Sequence, residues 1–210
     1  MKSYKDLDEL IWKGFEKITQ KAHKELGWNK FDLARITHSA ATFSGAAYGV
    51  YGFILQTKTN NYFYLVQDAF FTAAMGVSFY VGHQNLNHQE RAETELLKSG
   101  IVYPPTYKPL RPALMISAAI FGAAGIGALG WGITLPEGIE LKDYASDAKE
   151  TLSLLGTSII GLSGFGVLEV CSSYFKDQIM TPPTKKKSLK NYFSEKFSLK
   201  EEKFLVPENK

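Results

Sequence analysis

Four side chains in or next to the long uncharged stretches of this 210-residue chain are candidates for binding a metal ion or moving a proton. They are the imidazoles of His38, His83 and His88 and the carboxyl group of Glu169. Imidazole nitrogens and carboxylate oxygens are common ligands of transition metals and can also relay protons. If helices hold these groups at one depth, we predict a metal site formed by His38, His83 and His88, or a haem or redox site that uses His38, His83 and Glu169.

Two carboxyl groups, Asp68 and Glu169, lie inside otherwise uncharged stretches. Each is about 9 Å from the nearer end of its stretch at 1.5 Å per residue. A charge in such surroundings costs free energy, so both positions are candidate functional sites. The structural alternative is that the carboxyl groups are hydrogen-bonded to hydroxyl groups or imidazoles within the fold. His83 and His88 are five residues apart and therefore on different sides of a helix, which argues against a shared site.

The helices that position these groups are four stretches without Lys or Arg. They are residues 36–55, 62–81, 112–135 and 152–175. A helix of this length reaches about 30 Å, the thickness of the hydrocarbon core of a bilayer. The sequence therefore predicts an all-α, polytopic membrane protein with four transmembrane helices arranged as two hairpins. A soluble four-helix bundle is the alternative, but uncharged stretches of this length leave no polar faces for water.

The Lys and Arg residues are distributed unevenly around these stretches. Of the 24 such residues, all but Lys58, Lys142 and Lys149 lie before the first stretch, between the second and third, or after the fourth. Positively charged segments resist translocation. We therefore expect both termini on the cytoplasm-equivalent side, in a membrane that the sequence does not identify.

Three flanking segments have distinct compositions. Residues 1–30 predict an amphipathic helix that lies on the membrane surface, with Trp12 and Trp28 at headgroup depth, or docks on a partner protein. A short polar helix is predicted from Asn87 to Lys98, stopped by Gly100. Residues 136–150 form an acidic connection, and 181–210 a basic tail suited to anionic lipid headgroups rather than nucleic acid.

The first and third stretches resemble each other. Seven positions are identical: Ser39/Ser117, Ala40/Ala118, Ala41/Ala119, Phe43/Phe121, Ala46/Ala124, Gly49/Gly127 and Gly52/Gly130. The second and fourth match at Thr72/Thr157, Gly76/Gly161 and Ser78/Ser163. A duplicated two-helix hairpin, related by an axis along the membrane normal, would explain this pattern. The shared small-residue composition of the stretches would explain it too.

Glycines in these stretches predict close helix packing. Small residues let two helix backbones approach and gain contacts that lipid does not provide. The predicted packing positions are Gly45, Gly49, Gly52, Gly122, Gly125, Gly127, Gly130, Gly161 and Gly164.

The sequence supports three functional hypotheses. It contains no Walker A loop, Rossmann fingerprint, nucleophile elbow, Cys-x-x-Cys pair or His-Glu-x-x-His sequence, so we predict a non-enzymatic membrane module. Such a module would act as a subunit, assembly factor or scaffold, by packing on other membrane subunits or on itself. The first alternative is a small transporter or channel with Asp68 and Glu169 lining a polar path. The second is a metal- or haem-binding redox protein, although the sequence names no cofactor.

Overall fold

The computed structural model describes residues 4–59, 62–101, 110–136 and 148–181, together with Lys108, Lys186 and Ser188. Five helices account for all regular structure in this part of the chain: α1 (Tyr4–Leu26), α2 (Lys30–Thr59), α3 (Tyr62–Lys98), α4 (Leu110–Thr134) and α5 (Ala148–Lys176). The predicted all-α fold class is therefore confirmed. Most of the predicted acidic connection and of the basic tail lies outside the described residues.

Local sequence signals set the bend between α1 and α2. Gly27, with φ of 71°, takes the left-handed conformation that glycine adopts without a Cβ clash, and its N–H caps the carbonyl of His23 at 2.9 Å. Asn29 then caps α2, because its side-chain oxygen accepts bonds from the N–H groups of Phe31 and Asp32. The Asp32 carboxylate accepts the Asn29 N–H at 2.9 Å, which completes a capping box.

One long helix, α3, replaces two predicted elements. We predicted a span ending at Val81 and a separate polar helix starting near Asn87, but α3 runs unbroken for 37 residues. No proline interrupts this part of the chain, so the backbone hydrogen bonds continue into the polar segment. The helix ends at Lys98, as predicted, shortly before Gly100, whose φ is 75°.

The four longer helices form a row in the order α3, α2, α5, α4. α2 packs along both α3 and α5, and α5 packs along both α2 and α4. In the described part of the chain, no extensive contact joins α3 to α4. The row is therefore open, with α3 and α4 as its edges.

α1 lies across one end of the helices, where it packs on α4 and α5. Ile11, Trp12 and Phe15 form a cluster with Met115 and Tyr174. Part of the apolar face that we assigned to a membrane surface or a partner protein thus contacts the chain's own helices. We call this end of the helices, where α2 and α4 begin and α5 ends, the α1 end.

Two helices in the described part of the chain, Leu110–Thr134 and Leu152–Lys176, are long and apolar enough to cross a membrane. α2 and α3 are longer but less apolar. The reason lies in their composition, since α2 is rich in Ser, Thr and Tyr and α3 contains Gln67 and Asp68.

Candidate functional site

The centre of the candidate site is a contact between His38 of α2 and Glu169 of α5. The Nδ1 atom of His38 lies in close hydrogen-bond contact with the Oε1 atom of Glu169. On the other side of the ring, Nε2 lies 3.1 Å from the backbone oxygen of Ser78 on α3. The His38 side chain is buried and that of Glu169 is 30% exposed. One imidazole therefore connects three helices.

Hydrogen-bond chemistry fixes the proton on one side of this ring. The Ser78 carbonyl can only accept, so the Nε2 atom of His38 carries a proton. A second proton lies between Nδ1 and the Glu169 carboxyl group, whichever of the two atoms holds it more closely. The pair as a whole is then electrically neutral, which makes its burial inexpensive compared with that of a lone charge.

His83 lies beside the pair but bonds elsewhere. Its ring centre is 5.8 Å from that of His38 and 4.4 Å from that of Phe79. The Ser39 hydroxyl is 2.7 Å from the carbonyl of Arg35, to which it donates its single proton. The Nε2 atom of His83, 3.0 Å from the Ser39 oxygen, therefore donates to that oxygen. Of the predicted cluster, His38 and Glu169 bond directly and His83 only packs against His38.

The predicted metal site is not assembled. In the described part of the chain, no group of three or more His, Cys, Asp or Glu side chains is placed to hold a metal ion. His88 is exposed on the polar part of α3. Both ring nitrogens of His38 already have partners, so neither offers a lone pair to a metal. The five-residue separation of His83 and His88 turns them to different sides of one helix, as the sequence indicated.

Gly82 is a site residue that the sequence analysis missed. A Cβ atom at this position would overlap the imidazole of His38. The absence of a side chain on α3 is thus what leaves room for the buried ring of α2. Glycine directly before His83 was the available signal, but nothing in the sequence shows which helix faces it.

The other candidate carboxyl group, Asp68, lies on α3 far from the α1 end. It is 7% exposed and packs against Gly52, where a Cβ atom would overlap its carboxylate. The Thr72 hydroxyl donates to the backbone carbonyl of Asp68 at 2.9 Å. In the described part of the chain, no group donates a hydrogen bond to its carboxylate. Asp68 and Glu169 therefore belong to separate sites.

A buried ionic cluster at the α1 end was also missed. Asp8 of α1 is fully buried and accepts hydrogen bonds from Arg111 Nη2 at 3.1 Å and from the Tyr174 hydroxyl at 2.7 Å. Asp177 accepts from Arg111 Nη1 and from Lys108 Nζ, each at 2.8 Å. This cluster joins α1, α4 and α5.

A second ionic cluster joins α2 to the polar part of α3. Glu90 bonds Arg35 closely and accepts from the Asn29 side chain at 2.6 Å. Burial alone would raise the pKa of Glu90, but the hydrogen bonds from Arg35 and Asn29 and the charges of Arg35 and Lys186 together lower it. Lys30, almost fully buried, pairs with Glu93 at 2.6 Å.

Most of the predicted packing glycines lie at helix contacts. An added Cβ would meet a neighbouring helix within 4 Å at Gly45, Gly49, Gly52, Gly122, Gly125, Gly161 and Gly164. At Gly127 and Gly130 of α4, no described atom lies within 4 Å of the added Cβ. These two positions are exposed, because α4 is an edge helix with its packed side turned to α5.

Comparison with protein-family models, curated proteins and solved structures finds no match for the chain.

Proposed function

We propose that this chain is a non-enzymatic integral membrane protein with four transmembrane helices, α2 to α5, that acts as a subunit, assembly factor or scaffold by packing against a partner membrane helix. Large apolar side chains on the edge helices support the membrane placement. Phe70 on α3 is 74% exposed, and Phe121 and Trp131 on α4 are 64% and 67% exposed. A water-facing surface this apolar is unfavourable, whereas lipid or another helix covers it without cost.

The burial pattern explains how α2 and α3 could span a membrane despite their lower hydropathy. Their polar groups point into the row, where His38, Thr42 and Asp68 are buried. Their exposed positions include Phe43 and Phe70. Polar residues that face other helices lower the mean hydropathy of a span without being exposed to lipid.

The open face of α4 is the observation that carries the proposal. Gly49 and Gly52 of α2 receive Asp68 and Thr72 of α3 in a close helix contact. The identical positions of the predicted repeat on α4, Gly127 and Gly130, face nothing in the described part of the chain. Glycine inside a helix is unfavourable by about 1 kcal/mol relative to alanine. A partner helix that packs there would offset this cost, as α3 does on α2.

A photo-crosslinking experiment in native membranes tests this proposal. A photoreactive amino acid at Ala123, one turn from Gly127, should give a discrete protein adduct. The same residue at Val77, which is 62% exposed on α3, serves as the matched control and should give mainly lipid adducts. Gly127→Leu should remove the Ala123 adduct. Lipid adducts alone at Ala123 would contradict the proposal.

Cysteine labelling tests the four-span topology. In a Cys171→Ser background, an impermeant thiol reagent should label Lys98→Cys and Lys2→Cys from one side and Asn60→Cys and Asp143→Cys from the other. Labelling of positions 60 and 98 from the same side would exclude four spans.

Anionic lipid headgroups are the proposed partner of the outward face of α1. Lys13, Lys17 and Lys21 accompany Leu10 and Ile18, and all five are exposed. This mixture of lysine with large apolar side chains is typical of helices at a membrane surface.

Transport is less well supported. The helix positions that contact the two carboxyl groups, Gly52 and His38 on α2, are separated by about 21 Å along the helix axis at 1.5 Å per residue. Each carboxyl group lies in its own packed contact, so we propose no polar path between them.

A further inference from the structure

A groove of about 570 Å³ runs between α4 and α5 and ends at the candidate site. Its walls are mainly apolar, formed by residues such as Leu114, Phe121 and Leu162, and its polar lining includes Ser163 and Glu169. The volume, the apolar lining and the few polar groups are typical of small-molecule sites between packed helices.

Glu169 is the one charged side chain among the described residues that line the groove. Its Oε1 atom bonds His38, whereas no described group donates a hydrogen bond to Oε2. The groove therefore presents an acceptor without a donor at one end of an apolar surface. Because the pair with His38 is neutral overall, a cationic ligand would bring an unbalanced charge into the groove.

We propose that this groove binds a neutral lipid with a hydroxyl group, which donates a hydrogen bond to the free carboxylate oxygen of Glu169 while its hydrocarbon chain lies along α4 and α5. The inference rests on the membrane placement proposed above. An acyl chain of a bulk phospholipid, or an apolar helix, would fill the same groove but leave the acceptor of Glu169 unbonded. A lipid with a hydroxyl group satisfies both the apolar walls and the acceptor.

Two photoreactive probes test this proposal on the unaltered chain in phosphatidylcholine nanodiscs. One is a long-chain fatty alcohol with a diazirine in mid-chain, and the other is its methyl ether, which keeps the oxygen but cannot donate. Peptide mass spectrometry would map the adducts. A net hydrogen bond corresponds to a factor of about two to ten in binding, so the alcohol should label the groove about fivefold more than the ether. Equal labelling by the two probes would overturn the proposal.

A change at Glu169 tests the hydrogen bond itself. In Glu169→Leu an apolar side chain of similar size replaces the carboxyl group, so the groove no longer presents an acceptor to a hydroxyl group. Without an acceptor the alcohol gains no hydrogen bond over the ether, so the preference for the alcohol should disappear. A preference that persists in this variant would contradict the assigned role of Glu169.

Two phenylalanine variants of α4 test the location. Ser117 is exposed on the groove wall, so Ser117→Phe should fill the groove and abolish labelling. Ala119 is exposed two residues further on, about 200° around the helix, and Ala119→Phe should leave labelling unchanged. Alcohol labelling that survives Ser117→Phe would overturn the proposal. The protein adduct at Ala123 is measured separately, so its loss with groove labelling retained would refute the partner-helix function alone.

Discussion

The two hairpins of the row, α2–α3 and α4–α5, use related glycine patterns in different ways. On α2, Gly49 and Gly52 face α3, and an added Cβ at either position would overlap Thr72 or Asp68. On α4, the matching Gly127 and Gly130 are open, and contact with α5 is made instead at Gly125 and Gly132. The two hairpins thus turn different sides of their first helix toward their second.

The position of each hairpin in the row explains this difference. α2 is an inner helix with neighbours on two sides, whereas α4 is an edge helix. The glycine pattern that forms a close helix contact on α2 is therefore still exposed on α4. A glycine pattern by itself indicates the capacity for close packing, and the neighbouring helices decide whether that capacity is used inside the chain.

The largest expected effect concerns the anchoring of α1 on the second hairpin. Asp8→Ala should lower the free energy of unfolding in detergent by about 3 kcal/mol, because it removes one partner of the buried pair with Arg111. The matched control is Glu9→Ala, which removes a surface pair with Lys13 and should change stability by about 0.5 kcal/mol or less. A denaturant titration measures both. Equal effects of Asp8→Ala and Glu9→Ala would mean that the first hairpin (α2–α3), and not the docking of α1, determines the free energy of unfolding.

The second-largest expected effect comes from the comparison of Gly49 on α2 with Gly127 on α4. Gly49→Leu should lower the free energy of unfolding by about 1 to 3 kcal/mol, because the new side chain meets Thr72 and the backbone of Asp68. Gly127→Leu should instead raise it by up to about 1 kcal/mol, because its surroundings are open and leucine is a better helix former than glycine. Detergent-solubilised protein without partners is required for the measurement. Comparable losses in the two variants would show that both faces are packed.

A double-mutant cycle tests whether the two hairpins are coupled through His38 and Glu169. The single changes to alanine and the double change should yield a coupling free energy between about 0.5 and 3 kcal/mol, since the residues are in direct contact. The same cycle with His88, which is exposed, in place of His38 is the control and should be additive. Additivity in the first cycle would mean that this contact contributes nothing to the interface between α2 and α5.

The smallest effect is the pH dependence of the Glu90 cluster. The folded-state pKa of Glu90 lies below its ordinary value of 4.5, so the carboxylate stabilises the fold above that value. This contribution is lost as pH falls through the lower folded-state pKa. The stability difference between the unaltered chain and Glu90→Gln should therefore shrink on acidification from pH 7 to pH 3. Glu95→Gln, at an exposed position, should show no such trend.

Part of the candidate site could be predicted from residue type and spacing. His38, Glu169 and Asp68 were identified because a titratable group in an apolar stretch needs a reason to be there. Asp8 and Arg111 were not, because each lies outside the apolar stretches, where a surface position is the ordinary expectation for a charged residue. Gly82 was missed for a related reason, since the ring that it accommodates belongs to another helix.

The sequence by itself determined the helical class, the end of α3 before Gly100, and which stretches are apolar. These properties depend on interactions within a few residues along the chain, such as capping bonds and backbone conformation. The tertiary structure alone decided the order of the row, the docking of α1 on α4 and α5, and the different surroundings of Gly49 and Gly127. Helices with small and apolar residues on several sides can pack in more than one way, so the choice depends on the summed contacts of all five helices.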